Sequence, residues 1–229
     1  MKAAVLWTGG KDCYLALHEA RLAGWDVVLL ATLAPPNARF RAHPLPVMAR
    51  QARSLRLLHV VLDVEPPYAA GYRRAAARLR DSFGVRCLVT GDIDVPADHE
   101  DLVAATAAAL GLQLVRPLWR RPRSELLAAL LKLDAEVVVS CVRVEKLPAA
   151  WLGRRLDADA VAELCNLAAA DALDACGEFG EYHTLVLHGP GFRERVVLHY
   201  DEALAGDGLR SLAIRSVHLE APPCEPGRC

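Results

Sequence analysis

The sequence predicts an α/β fold, in which a parallel sheet is covered by helices on both faces and is followed by a smaller mixed α+β unit. Three observations carry this. Short apolar runs alternate with helical segments through the first half of the chain, a glycine-rich polar turn stands where the first strand becomes the first helix, and the pattern becomes strand-rich towards the end. The expected division is 1–120 for the first unit, 121–220 for the second, and a flexible tail over 221–229.

Taken in order, "AAVLW" (3–7) is an apolar run of the buried parallel-strand kind. "DCYLALHEARLAG" (12–24) is helical, with Leu15, Ala16, Glu19, Ala20, Leu22 and Ala23 spaced near 3.6 residues and Gly24 as the stop. Further strands are expected at 26–34, 57–64, 85–93 and 112–119, separated by helices at 44–56, 67–83 and 98–110. "PRSELLAALLKLDA" (122–135) adds a helix, 136–144 a strand, and 156–173 another helix. "TLVLHG", "RERVVLHY" and "LAIRSVHLE" close the chain as strands, with the "HGPGF" turn suggesting a hairpin between the first two.

Composition narrows the function classes. A chain of 229 residues with 53% hydrophobic and 24% charged residues buries a substantial core and reads as globular. The net charge of −1 gives no general attraction to nucleic acid or anionic lipid, so no nucleic-acid partner is expected. No apolar stretch reaches the roughly 18 residues of a membrane span, and the N-terminus lacks a signal-peptide layout, so neither membrane insertion nor export is expected and the cytoplasm is the expected compartment. Seven cysteines, at 13, 87, 141, 165, 176, 224 and 229, form no CxxC pair, which argues against a disulfide framework or a structural zinc site. An oligomer is compatible with the sequence.

In parallel sheets, ligands bind beyond the carboxyl ends of the strands. The suspects are therefore Thr8 to Cys13 after the first strand, the 35–44 loop after the second, and Gly91-Asp92 after the fourth. Unpaired N–H groups at a helix start attract anions, and Gly9 and Gly10 let a phosphate approach the backbone. Thr8 adds a hydroxyl, Lys11 a cation and Asp12 a carboxylate able to hold Mg2+. The turn matches neither G-x-x-x-x-G-K-[ST] nor G-x-G-x-x-G. A second polar cluster, "CGEFGEYHT" (176–184), offers Glu178 and Glu181 to orient an amine or a ribose hydroxyl, and Gly177 and Gly180 for close approach of a substrate. His183 and Thr184 complete it.

Together, T-G-G-K-D-C resembles the S-G-G-x-D-S loop of the PP-loop ATP pyrophosphatases, and C-G-E-F-G-E-Y-H-T resembles the second signature of the diphthine–ammonia ligase family. Phe40-Arg41-Ala42-His43, Gln51-Ala52, Gly91-Asp92-Ile93, Pro117-Leu118-Trp119, Trp151 to Arg154, Leu156-Asp157 and His188-Gly189-Pro190 follow in that family's order. The resemblance implies a Rossmann-like sheet of the adenine-nucleotide hydrolase type and a smaller domain that closes over the substrate. It implies ATP and Mg2+ as cofactors, adenylation of a small-molecule or protein-borne carboxylate with release of pyrophosphate, and conversion of the acyl-adenylate to an amide by ammonia. By the same resemblance, Thr8, Gly9, Gly10, Lys11, Asp12 and Cys13 fall on the phosphate loop and His43, Gly91 and Asp92 near the nucleotide. Gly177, Glu178, Gly180, Glu181, His183 and Thr184 fall on the acceptor side, with Lys11, Asp12, Glu178, Glu181 and His183 as the catalytic candidates.

Ammonium must lose a proton before attack, and Glu178, Glu181 or His183 are the available acceptors. Two rival readings use the same residues. Cys13, at a helix N-terminus where thiol pKa values tend to fall, fits a nucleophile of sulfur transfer to tRNA, and the sheet alone would serve a nucleotide sensor without turnover. Trp7, Tyr14 and Trp25 read as packing residues, and His18, His59, His99, His188, His199 and His218 as ordinary surface or core histidines.

Overall fold

The computed structural model describes residues 1–38, 40–94, 100–206 and 208–221, with side chains at 202–207 excepted. Arg39, Asp98, His99, Cys224 and Cys229 lie outside the described residues, as does the tail from 222 onwards.

Strands β1 (Lys2–Leu6), β2 (Asp26–Ala34), β3 (Leu58–Asp63), β4 (Cys87–Val89) and β5 (Gln113–Val115) form a sheet in the order β3-β2-β1-β4-β5, with every pairing parallel. The order reverses between β1 and β4, which opens a crevice beyond their carboxyl ends. Helices α1 (Lys11–Leu22), α2 (Leu45–Ser54), α3 (Tyr68–Phe83) and α4 (Leu102–Leu110) connect these strands. Period-2 alternation assigns the faces. Ala3, Val5 and Leu30 join a core with α1 and α2, whereas Ala4, Leu29 and Ala31 join one with α3 and α4.

The chain continues through α5 (Arg123–Lys132), β6 (Glu136–Arg143), a 3-10 turn at Ala149–Trp151, α6 (Ala158–Ala169), β7 (Tyr182–His188), β8 (Arg195–Gly206) and β9 (Leu209–Glu220). The last four strands make an antiparallel sheet in the order β7-β6-β9-β8. Its inner residues, Val137, Val139, Leu185 and Val186, share one hydrophobic cluster with α1 and α2. That shared core brings β7 against the first turn of α1.

Three expectations are corrected. β4 and β5 have three residues each rather than the longer runs expected, and Thr90 to Asp92 beyond β4 turn into the crevice. α4 starts at Leu102, where the Asp101 carboxylate accepts from the Ala104 amide at 2.9 Å. β7 and β8 do not pair, and the hairpin is β8–β9. The "HGPGF" turn instead leads the chain to the end of α2, where the Arg193 and Glu194 amides donate to the Ser54 hydroxyl at 3.1 and 2.9 Å. No helix among the described residues is long and apolar enough to cross a membrane.

Candidate functional site

A cleft of about 390 Å3 opens at the carboxyl ends of β1, β2 and β4. Of the residues the sequence singles out, Thr8, Asp12, Cys13, His43, Gly91, Asp92 and Glu178 line it. The remaining wall is apolar, formed by Leu6, Trp7, Leu33, Phe40, Met48 and Tyr72 among others, with Thr32 and Thr90 at strand ends. A polar rim on an apolar pocket suits a flat heteroaromatic group carrying an anionic tail.

The loop is shaped by close packing. Gly9 has φ +82°, and a Cβ there would lie 2.4 Å from Oε1 of Gln51. At Gly91 a Cβ would meet the Asp12 carbonyl carbon at 2.5 Å, so the β4 end presses on the first turn of α1. The Lys11 amide donates to the Thr184 hydroxyl at 3.0 Å, and the Val186 amide of β7 donates to the Gly9 carbonyl at 3.0 Å. The 8–13 loop is therefore clasped by the second sheet.

Lys11 does not line the cleft. Its ammonium is buried, ion-paired with Asp12 at 2.8 Å, bonded to the Cys176 carbonyl and seated 5.2 Å from the Tyr182 ring centroid. Burial works to lower its pKa, but the Asp12 carboxylate and the other surrounding groups outweigh that and raise it, so Lys11 stays charged. Cys13 corrects the expectation of a reactive thiol. It is buried, its Sγ accepts from the Thr8 hydroxyl at 3.6 Å and donates to the Gly10 carbonyl at 3.2 Å, and burial pushes its pKa up despite the helix N-terminus. It stands at the start of α1 as a packed, protonated group.

The 174–182 turn sorts its carboxylates. Glu181 is buried and accepts from the amides of Asp174 at 2.9 Å and Phe179 at 3.0 Å, so it organises the turn. Gly177 and Gly180, at φ +72° and +80°, make the turn possible, and Arg123 anchors it through Asp174 at 2.9 Å. Glu178 projects into the cleft with Asp12, where burial and the Asp12 charge raise its pKa. His43 and His183 meet edge to face, with ring centroids 5.2 Å apart. Burial, then His183 and then the Lys11 charge, pushes His43 down to about 3. His183 is lowered by burial, with Lys11 and Arg143 adding to it, so both rings are neutral near pH 7. Asp92 stands 3.5 Å from Arg116, which is held by Asp101 at 2.6 Å and lies over the Trp119 ring.

This constellation unites two distant segments: residues 8–13, which open α1, and residues 176–184, which lead into β7. Both segments fall within matches to known family domains. The diphthamide synthase N-terminal domain matches residues 1–99, and the diphthamide synthase C-terminal domain matches residues 123–207. The chain belongs to this family. The zebrafish (Danio rerio) diphthine–ammonia ligase is 31% identical over 252 residues, covering 96% of this chain and 97% of that protein. The Schizosaccharomyces pombe enzyme of the same name is 28% identical over 86% of this chain and 36% of its own length. The human one is 24% identical over 89% and 85%.

The sequence marks Gln51 as part of the family-ordered Gln51-Ala52 pair without assigning it a role, and the structure bonds it to the loop. It is fully buried, and its Nε2 donates to the carbonyls of Gly9 at 2.9 Å and Val186 at 2.8 Å. Its Oε1 accepts from the Trp7 indole at 3.1 Å. Besides that pair, the sequence signal is a polar residue on the inward face of α2, beside Val47, Met48 and Ala52.

Proposed function

We propose that the protein is an ATP-dependent ligase that adenylates a carboxylate, releases pyrophosphate, and passes the acyl group to ammonia, the co-substrate in the name diphthine–ammonia ligase that its relatives carry. The observation that carries this is the meeting of Asp12 and Glu178, from the two signatures, in one cleft at the reversal point of a parallel sheet. The first unit, 1–120, holds the nucleotide, and the second, 121–220, supplies the acceptor side.

The apolar wall of Leu6, Leu33, Phe40, Met48 and Tyr72 takes the adenine, and the loop from Thr8 to Cys13 takes the phosphates. Attack of the carboxylate oxygen on the α-phosphorus forms the acyl–O–P bond as the bond to pyrophosphate breaks. The α1 N-terminus offsets charge on the leaving group. Asp12 and Asp92 offer the hard oxygen donors that Mg2+ prefers. Bound there, Mg2+ would neutralise triphosphate charge.

Ammonium then loses a proton within the cleft. His43, with its pKa near 3, is a weak base, whereas the raised pKa of Glu178 makes it the best-matched acceptor. Glu178→Gln is expected to lower kcat about 100-fold with ATP affinity retained. The reading is tested by incubating the protein with ATP, Mg2+, ammonium and either a diphthine-bearing translation factor or a panel of small acids. Mass spectrometry should show an amide in place of a carboxyl, formed with wild type and lost in Asp12→Ala. ATP binding with no amide from any acid would favour the sensor reading instead.

A further inference from the structure

We infer that Gln51 is a positioning residue for ATP, fixing the phosphate loop by tying the Gly9 carbonyl to the Trp7 indole on one side and to strand β7 on the other. The inference rests on the proposal that this loop receives the triphosphate.

The geometry leaves Gln51 one orientation. The Trp7 indole only donates and carbonyl oxygens only accept, so Oε1 faces the indole and Nε2 faces Gly9 and Val186. With 0% exposure, the three bonds exclude water, and the amide has no spare donor. Gly9 is the first glycine of the loop and leaves room for the amide through its missing Cβ. Its carbonyl accepts twice, from Gln51 and from the Val186 amide at 3.0 Å, and so is turned towards the interior.

A carbonyl held inward matters for anion binding. Without Gln51 the Gly9 carbonyl keeps one partner, the Val186 amide, and the Gly9–Gly10 peptide gains freedom to turn its oxygen towards the cleft, where it would repel a phosphate. Gln51 thereby links three elements on which ATP affinity depends: the end of β1, the loop, and the second sheet. The sequence places this side chain on α2, far along the chain from all three.

Glutamate and methionine at position 51 separate this role from ordinary packing. Gln51→Glu keeps an acceptor for Trp7 but sets a carboxylate against two carbonyls, and Gln51→Met keeps the volume and removes all three bonds. Ser54→Ala serves as the control. Ser54 is equally buried on the same helix and bonds Arg193 and Glu194 away from the loop, so its loss costs stability without touching Gly9.

MgATP affinity by calorimetry and unfolding midpoints would be measured on all four proteins. Affinity is expected to weaken about tenfold or more in both Gln51 variants and to stay within about twofold in Ser54→Ala at a comparable loss of stability. Should Gln51→Glu not fold, Gln51→Met decides alone. Unchanged affinity in Gln51→Met, or an equal loss in Ser54→Ala, would overturn the inference. A wild-type protein that does not bind MgATP would overturn the proposed function, and this inference with it.

Discussion

At the scale of single residues, the site depends on groups whose environment reverses what their type suggests. Cys13 is a protonated packing group, Lys11 a buried tether between Asp12 and the 174–182 turn, and Glu181 a turn organiser. Gly91→Ala should abolish measurable MgATP binding, because its Cβ would meet backbone at 2.5 Å and displace the start of α1; calorimetry checks this. Acid stability tests His43. Its folded pKa of about 3 lies below the ordinary imidazole value, so between these pH values the unfolded chain binds a proton that the folded chain refuses. Stability therefore falls as pH falls from about 6.5 to about 3. His43→Asn should flatten that slope relative to wild type in urea midpoints taken across the window. His183, lowered in the same direction, should add to the flattening in a double variant. The polar loop residues were legible from sequence because glycine, hydroxyl and carboxylate side chains cluster there. Gln51 was legible as half of a family-ordered pair, but its role was not, since one glutamine on an amphipathic helix shows nothing of its three distant partners.

At the scale of elements, periodicity located each α-helix and strand among the described residues, though not the 3-10 turn at Ala149–Trp151, because apolar residues recur at 3.6 or are continuous in buried strands. Pairing was less legible. "HGPGF" has the chemistry of a hairpin turn, yet local turn preference does not say which strands will bond, and the anchor at Ser54 carries the chain past β7 instead. Some family-ordered residues prove to be architectural. Asp157 caps α6, accepting from the Ala160 amide at 2.9 Å, and Arg154 stacks on Trp151 at 4.1 Å. Asp157→Ala should cost about 1 kcal/mol of stability while MgATP affinity stays unchanged, which paired unfolding and binding curves would show. The contrast with Glu178, equally ordinary in sequence, is made by position: Glu178 reaches the cleft, whereas Asp157 and Arg154 do not line it.

At the scale of the whole molecule, the two sheets share a hydrophobic core and meet where chemistry is expected. The parallel sheet alone provides a crevice. β7 completes it by bonding Gly9 and Lys11, and the turn before β7 delivers Glu178. A ligase needs this arrangement more than a sensor does, because acid, ATP and ammonia must meet in one place shielded from water. The measurement that tests this most directly is the stoichiometry of nucleotide products during amide formation. The account predicts one AMP and one pyrophosphate per amide, dependent on ammonium and absent in Asp12→Ala. ADP and phosphate formed in step with the amide would contradict it, placing the attack on the γ-phosphorus rather than the α-phosphorus.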